Sequence, residues 1–579
     1  MSFLSVMRLT LLFVFICVGF NVVAQKNPYE PYKIEKENLT SKVRLYWDAS
    51  NKRLQATGSY YKNDFLFRSA EKHGKWLFYS YEGILEEERS YYRNRLLGKQ
   101  TIFFPDKSVK SVAYFFFNVP DSIYKEYNPQ GKLIISGKYL MGSPEGKWEY
   151  FYDDGRPHKV EFVKEDTVYL QQFWASDSAH TQLIKNGNGV LTSYYINGVT
   201  KEFYTFKDGL KNGPFQERTA NGVLSVAGNF LNGKKDGEWD FYHIDGVQDK
   251  KLGYKNDSLH GVYEVYYRDG TVNTKGAYNN GKKTGFWEWR TEKGILEMSG
   301  SFLEDQQDGH WIYNYPSGQL SYNAYFEKGK RSGEWSYFYE GGEPFKKGKY
   351  VNNDREGIWE TRYENGNLLL SGAYKNGKEE GDWFNYWEDG KLKNKSSFKQ
   401  GRLHGKWYSY LPNGVLSLTG TYKNGLKTGE WQEFYSNGRK KEITNYKIKK
   451  IKNYSNDVVI LGMKQITSVP HGKFEAYSHL DFQLKGKGTY KNGLKHGTWI
   501  DFYPGGEIPT VVSPYKDGKL HGKYKQYSRT GKLQHEISYQ KGLKHGPFIM
   551  YDKDGKEIVN KMFRYGREMQ KLEKPMFTP

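Results

Sequence analysis

Hydrophobic and aromatic positions fall in short runs of about 7–9 residues, near the usual strand length. Polar pairs, Asn-Gly and Asp-Gly above all, separate the runs. One stretch carries the pattern in full: Gly405-Lys-Trp407-Tyr-Ser-Tyr410, then Asn413-Gly414, then Leu416 to Tyr422, then Asn424-Gly425. Both residues of an Asn-Gly pair tolerate positive φ, which primed two-residue hairpin turns require. Each stretch of this kind therefore predicts two antiparallel strands and two turns. Helix is excluded by the glycines: the chain has 63, and each interior Gly costs a helix roughly 1 kcal/mol. Trp335, Tyr337 and Tyr339 alternate as one strand face requires, but Trp407 and Tyr410 differ in parity. Either a bulge or a ribbon with aromatics on both faces accounts for that.

The pattern is strictly periodic. Gly213, Gly237, Gly261, Gly285, Gly309, Gly333, Gly357, Gly381, Gly405 and Gly429 follow one another at 24-residue steps. Two places after each stands an aromatic residue: Phe215, Trp239, Tyr263, Trp287, Trp311, Trp335, Trp359, Trp383, Trp407 and Trp431. A fixed period of this size marks a repeat array, in which one small unit stacks on copies of itself. The predicted fold is all-β: an elongated array of antiparallel β-hairpin repeats forming a rod-like twisted sheet. The register extends upstream through Gly74, Gly98, Ser122, Gly146 and Gly189, and downstream through Gly472, Gly497, Gly522 and Gly546, giving 19 slots. Two strands per unit at ~4.8 Å each predict on the order of 180 Å of sheet. Aromatics make up 17% of the chain, and their flat rings are expected to lie over neighbouring glycines and shield the backbone.

Two 43-residue steps, 146 to 189 and 429 to 472, break the period. Each has room for a shortened, degenerate unit. The expected organisation is a signal peptide at 1–24, an N-terminal cap and repeats at 25–163, and an irregular insertion at 164–182. Regular repeats follow at 183–445, then a second irregular insertion at 446–468, C-terminal repeats at 469–565 and a tail at 566–579. The insertions are the expected hinges.

The signature Tyr-x-Asn-Gly-x-x-x-Gly-x-Trp, clearest from Tyr374 to Trp383 and from Tyr422 to Trp431, resembles the variant class of MORN repeats. The resemblance covers roughly residues 55–565. It implies a ladder of stacked hairpins used for protein or lipid contacts, without catalytic residues, and carries an antitoxin-like label in bacteria. The shorter series Gly333, Trp335, Tyr337, Tyr339 and Gly341 is similar to cell-wall choline- or glucan-binding hairpins. Those are nearer 20 residues long and lack the second turn.

Residues 1–24 read as a cleaved signal peptide: Arg8 supplies the charge, Leu9 to Phe20 the apolar stretch, and Val22-Val-Ala24 the small-residue site. Cys17, the one cysteine, falls inside it, so the mature chain holds neither disulfides nor thiolate metal sites. Export to the periplasm or cell surface is the expectation, with no later segment apolar enough to span a membrane.

The net charge of +21 has two readings. Lys282, Lys283, Lys375, Lys378, Lys423, Lys427, Lys491 and Lys495 sit around turns, where a β array needs polar residues and guarded edges. Stacking also aligns equivalent lysines into a basic stripe that attracts an anionic surface or glycan. Single-stranded nucleic acid is disfavoured for an exported chain whose aromatics serve packing.

Seven histidines share the position before a slot glycine: His73, His260, His404, His471, His496, His521 and His545. Adjacent units lie ~9.6 Å apart, far beyond shared metal ligation at ~2.0–2.2 Å. Asn212, Asp236, Thr284, Asp308, Ser332 and Thr428 fill the same position elsewhere. What these residues share is hydrogen bonding to turn backbone, so a structural cap is expected, with a weak pH response near pH 6–7. No phosphate loop, metal site, cofactor site or catalytic constellation stands out. The functional expectation is a non-enzymatic scaffold for envelope proteins or surfaces, with glycan binding and an antitoxin or immunity role as alternatives.

Overall fold

A computed structural model describes residues 32–62, 70–451 and 465–570. The predicted signal peptide, Cys17 and the end of the tail lie outside the described residues. The chain divides into two compact units, one of residues 1–248 and 253–258, the other of 249–252 and 259–579.

Both units are antiparallel β throughout. In the first, the strands from Val43–Tyr46 to Lys234–Tyr242 each pair with the strand before and the strand after. In the second, the same holds from Ser258–Tyr266 to Arg567–Met569, except that Lys330–Arg331 and Gly333–Phe338 both pair with Leu320–Glu327, and Lys519–Leu520 and Gly522–Tyr527 both with Pro509–Lys516. Neither sheet folds back on itself, so each unit is an open ladder built from local pairings. A short 3-10 turn spans Lys36–Asn38.

The repeat is seen cleanly from Asp354 to Tyr386. Strand Asp354–Arg362 carries the slot glycine Gly357. It turns into strand Leu368–Lys375, which turns again into strand Lys378–Tyr386. The two turns differ, although both are written with Asn-Gly. At Asn376-Gly377 both residues have positive φ, 50° and 74°, the two-residue type I′ geometry. At Asn365-Gly366 only Gly366 does, at 84°. There the Gly366 N–H donates to Tyr363 O (2.9 Å) and the Tyr363 N–H to Asn367 O (2.8 Å). That is a three-residue turn closed by a glycine bulge, so the expectation of primed turns holds for only one turn per unit. The two turn types alternate along most of each ladder, giving one rim of two-residue turns and one mainly of three-residue turns, with longer turns closed by Ser478–Gln483 and Tyr503–Ile508.

The slot glycine sits in a second bulge. Gly372 pairs with Trp383 and Ala373 with Glu380, which leaves Gly381 and Asp382 as extra residues. Gly381 adopts φ 73° there, a left-handed conformation that disfavours a Cβ. A third register shift, between Ser409 and Tyr410, resolves the parity of Trp407 and Tyr410 in favour of a bulge.

The two long intervals stay in the ladder. In the first, strands Pro157–Lys164 and Thr167–Trp174 pair with each other, and Trp174 pairs with Gln182 of the short strand Gln182–Lys185. Irregular structure is limited to residues 175–181, because Thr167 to Trp174 is rich in strand-forming residues. In the second, strands Lys440–Ile451 and Gln465–Tyr477 form an elongated hairpin paired out to Ile451 and Gln465. Residues 452–464 lie outside the described residues.

Candidate interaction surfaces

The ten slot glycines all have positive φ, from 61° at Gly333 to 112° at Gly405. Within each unit the aromatics two places on line one face. Trp239, Trp287 and Trp311 are each 1% exposed; Phe215, Trp335, Trp359, Trp383 and Trp431 are buried, and Tyr263 and Trp407 are half-buried.

A thin sheet buries Trp because each indole lies flat on a backbone without a side chain. Gly228, Gly276, Gly300, Gly348, Gly372, Gly420 and Gly488 each lie beneath a Trp, and a Cβ on any of them would come within 2.2 Å of the ring. The same small position is held by Ala324 under Trp335 and by Ser396 under Trp407. It is flanked on its other side by the preceding unit's aromatic, as Gly300 is by Trp287. In several units the slot bulge exposes a carbonyl that the indole N–H satisfies, whereas Trp287 Nε1 donates to Thr284 O (3.2 Å) and Trp431 Nε1 finds no protein partner. Trp311 Nε1 donates to Ser301 O (3.1 Å), Trp359 to Lys349 O (3.2 Å) and Trp383 to Ala373 O (3.2 Å). Phe or Tyr fills the same space without that donor.

Between successive indoles stands a second aromatic, edge-on. The series Trp287, Phe302, Trp311, Phe326, Trp335, Tyr350, Trp359, Tyr374 and Trp383 makes contact at every step, with centroids 5.0–6.3 Å apart and planes 67–89° apart. This is the preferred geometry of aromatic pairs. Tyr313 and Tyr322 add a stacked pair at 4.2 Å, where burial pushes the Tyr322 hydroxyl up to about 12.

Cations close the ladder from above. Lys235 Nζ lies 4.4 Å from the Trp239 ring, Lys283 Nζ 4.7 Å from Trp287, Lys427 Nζ 4.2 Å from Trp431 and Lys495 Nζ 4.2 Å from Trp499. Arg355 takes the same place over Trp359 at 4.9 Å. Lys283, Lys427 and Lys495, read from sequence as turn lysines, are therefore ring covers. That role required the strand register and was not legible in the spacing.

Units are also tied across the rims. The Tyr339 hydroxyl donates to Arg362 O (2.8 Å), Tyr315 to Phe338 O (2.8 Å) and Tyr363 to Tyr386 O (3.0 Å), each 23 residues on. At the opposite rim, the residue before the slot glycine caps the next two-residue turn. Asp308 accepts from the Lys328 N–H (3.0 Å), and Glu356 from the Asn376 N–H (2.9 Å). His73 Nδ1 accepts from the Arg93 N–H and His471 Nδ1 from the Asn492 N–H, both at 3.2 Å. Burial, helped by Arg93, lowers the His73 pKa. Burial, helped by Lys447 and Lys491, lowers that of His471. Among the described residues no cluster of His, Cys, Asp or Glu is arranged to hold a metal ion.

The family described as MORN repeat variant matches residues 259–280, 355–376, 379–400, 403–424, 427–447 and 520–541. The chain carries MORN-variant repeats. Each MORN match begins two residues before a slot glycine, at the ring-covering position, and five of the six end on the first residue of a two-residue turn. No curated protein matches the chain. Among solved structures it is similar to "TcdB2-TccC3-Cdc42" and to "TcdB2-TccC3". Both are 11% identical with a TM-score of 0.13, and the match covers 92% of this chain and 31% and 32% of theirs. The chain thus spans about a third of the length of those chains, and superpositions at that score define no shared arrangement.

No described helix is long and apolar enough to cross a membrane. The face opposite the rings is laced with ion pairs, among them Lys275–Glu264 (3.0 Å) and Lys395–Asp382 (3.0 Å), and also exposes Phe286, Tyr325 and Ile358.

Proposed function

We propose that this chain is an exported, non-enzymatic repeat scaffold that holds protein or envelope-surface partners along its rims and polar face. The observation that carries the reading is the burial of the aromatic ladder. Its rings are spent on glycine backbone, on one another and on cations, so what the units leave free is turns, charged strand positions and scattered apolar ones such as Phe286 and Ile358. Those recur at every unit, and repeated weak contacts add through multivalency. The same burial weighs against sugar stacking, which needs open ring faces. An antitoxin or immunity role requires a cognate toxin in the same compartment. Export rests on residues 1–24 of the sequence.

Affinity capture of residues 25–579 from the source envelope fraction, after chemical crosslinking and with mass spectrometry, tests the reading. A defined set of enriched proteins supports it. Recovery of polysaccharide alone, released by free sugar, replaces it with glycan binding.

A further inference from the structure

Tyrosines that touch elsewhere in the chain meet edge-on. Tyr124 and Tyr139, Tyr263 and Tyr278, and Tyr524 and Tyr539 cross at 61–82°. Tyr313 and Tyr322 are arranged differently. They are direct partners across one hairpin, their centroids lie 4.2 Å apart and their planes are 13° from parallel. Both side chains leave the sheet on the ring-bearing face, so the hydroxyls end side by side and the ring carbons next to them, the Cε atoms, face each other. Gln307 Nε2 donates to the Tyr313 hydroxyl (2.8 Å) and fixes that ring. Both residues are half-buried. A third tyrosine, Tyr337, reaches Tyr322 in a more distant and more tilted contact, at 5.4 Å and 30°.

The surrounding rings lead to this pair. Trp287, Trp289, Trp311 and Tyr313 stack in sequence, with centroids 5.7–5.9 Å apart and planes 24–26° apart. Trp335 stacks on Tyr322 from the other side, at 6.1 Å and 12°. Cations stand over both ends of the series: Lys283 over Trp287 and Trp289, and Arg355 over Trp359. Among the described residues no Lys or Arg stands over Trp311, Tyr313, Tyr322 or Trp335. A ring that has lost an electron carries positive charge, and a neighbouring cation raises the energy of that state. The electron hole is therefore driven to the uncovered rings in the middle, where the two tyrosines trap it by losing their hydroxyl protons.

We infer that Tyr313 and Tyr322 are an oxidative modification site, at which a one-electron oxidant of the peroxide-driven haem class joins the two rings as dityrosine. Each ring gives one electron to the oxidant and its hydroxyl proton to water. The two radicals then pair, forming one bond between a Cε of Tyr313 and a Cε of Tyr322. The hydrogen on each bonded Cε passes to the phenol oxygen, which restores both rings. The net change exchanges two C–H bonds for one C–C bond, with two electrons and two protons removed and two one-electron equivalents of oxidant reduced. The bond ties strands Gln306–Asn314 and Leu320–Glu327 together covalently. The inference goes beyond the scaffold reading and stands independently of it.

The test oxidises residues 25–579 at low concentration with tris(bipyridyl)ruthenium, persulfate and light. The monomer band from a denaturing gel is read by dityrosine fluorescence and by peptide mass spectrometry. The expected main product is a peptide pair joined from Tyr313 to Tyr322, two hydrogens lighter than the uncoupled peptides. Tyr313→Phe and Tyr322→Phe keep the rings packed, and each is expected to abolish that product and most of the fluorescence. Tyr337→Phe and Tyr263→Phe are expected to leave both in place. Mapping the cross-link in the parent chain keeps the test decisive if a variant is destabilised. Coupling of other tyrosines at equal or higher yield, or a Tyr313–Tyr322 product as abundant in urea as in the folded chain, overturns the inference.

Discussion

Trp311 lies flat on Gly300, so closely that a Cβ built on the glycine would sit 2.1 Å from Cδ2 of the indole. Gly300 has an ordinary strand conformation, so the constraint is space and not φ. Gly300→Ala is expected to destabilise the fold by about 1–3 kcal/mol through overpacking. Adding Trp311→Leu to that variant is expected to recover part of the loss. Denaturant melts of the two variants and of Trp311→Leu alone, compared in a double-mutant cycle, check this.

At the slot glycine the cause is reversed. A Cβ on Gly381 meets nothing within 4 Å, but φ is 73°. Gly381→Ala is expected to cost about 1 kcal/mol from backbone strain, and Gly381→Asn less, since Asn tolerates this region. Ser122, the degenerate slot, holds φ 74°, which shows that the bulge persists without glycine. Thermal melts of the two Gly381 variants check the order.

Tyr339→Phe removes one inter-unit hydrogen bond, from the hydroxyl to Arg362 O. A loss of about 1 kcal/mol is expected, with faster hydrogen exchange confined to the strands around 339 and 362. Uniform acceleration along the chain would contradict a ladder held by neighbours.

The histidine caps give a pH dependence. His73 and His471 accept hydrogen bonds on Nδ1, and both have lowered pKa values. Above the ordinary value near 6.5, both are neutral folded or unfolded, and their caps contribute fully. As pH falls below that value the unfolded chain takes up the proton first, so stability declines until the folded pKa is passed. The melting temperature is expected to be flat from pH 8 to 7 and to fall from pH 6.5 to 5. His73→Asn together with His471→Asn should flatten part of that fall.

The period, the all-β class and the pairing of flat rings with glycines were legible in the sequence because Gly-x-aromatic recurs at ten successive 24-residue steps. Which glycine lies under which ring was not, because Ala324 and Ser396 occupy the same position and break the signature. The two turn types were hidden because Asn365-Gly366 and Asn376-Gly377 are identical in letters and differ only in what flanks them. The rim tyrosines escaped notice because Thr219, His243 and Leu411 stand where Tyr339 does in other units. Ring-covering lysines looked like turn lysines until register placed Lys283 over Trp287. The stacking of Tyr313 on Tyr322 likewise becomes evident only once each strand's partner is known.

The ladder is assembled from interchangeable units that interlock only with their neighbours. Removing residues 381–404 deletes one whole period and joins Glu380 to Gly405, restoring every contact type in register. Circular dichroism and a thermal melt of this deletion, beside one lacking only 381–392, test it. The whole-period deletion should keep the β spectrum and a cooperative melt near that of the parent, while the half-period deletion should lose cooperativity. Equal damage from both deletions would mean that the units are not interchangeable.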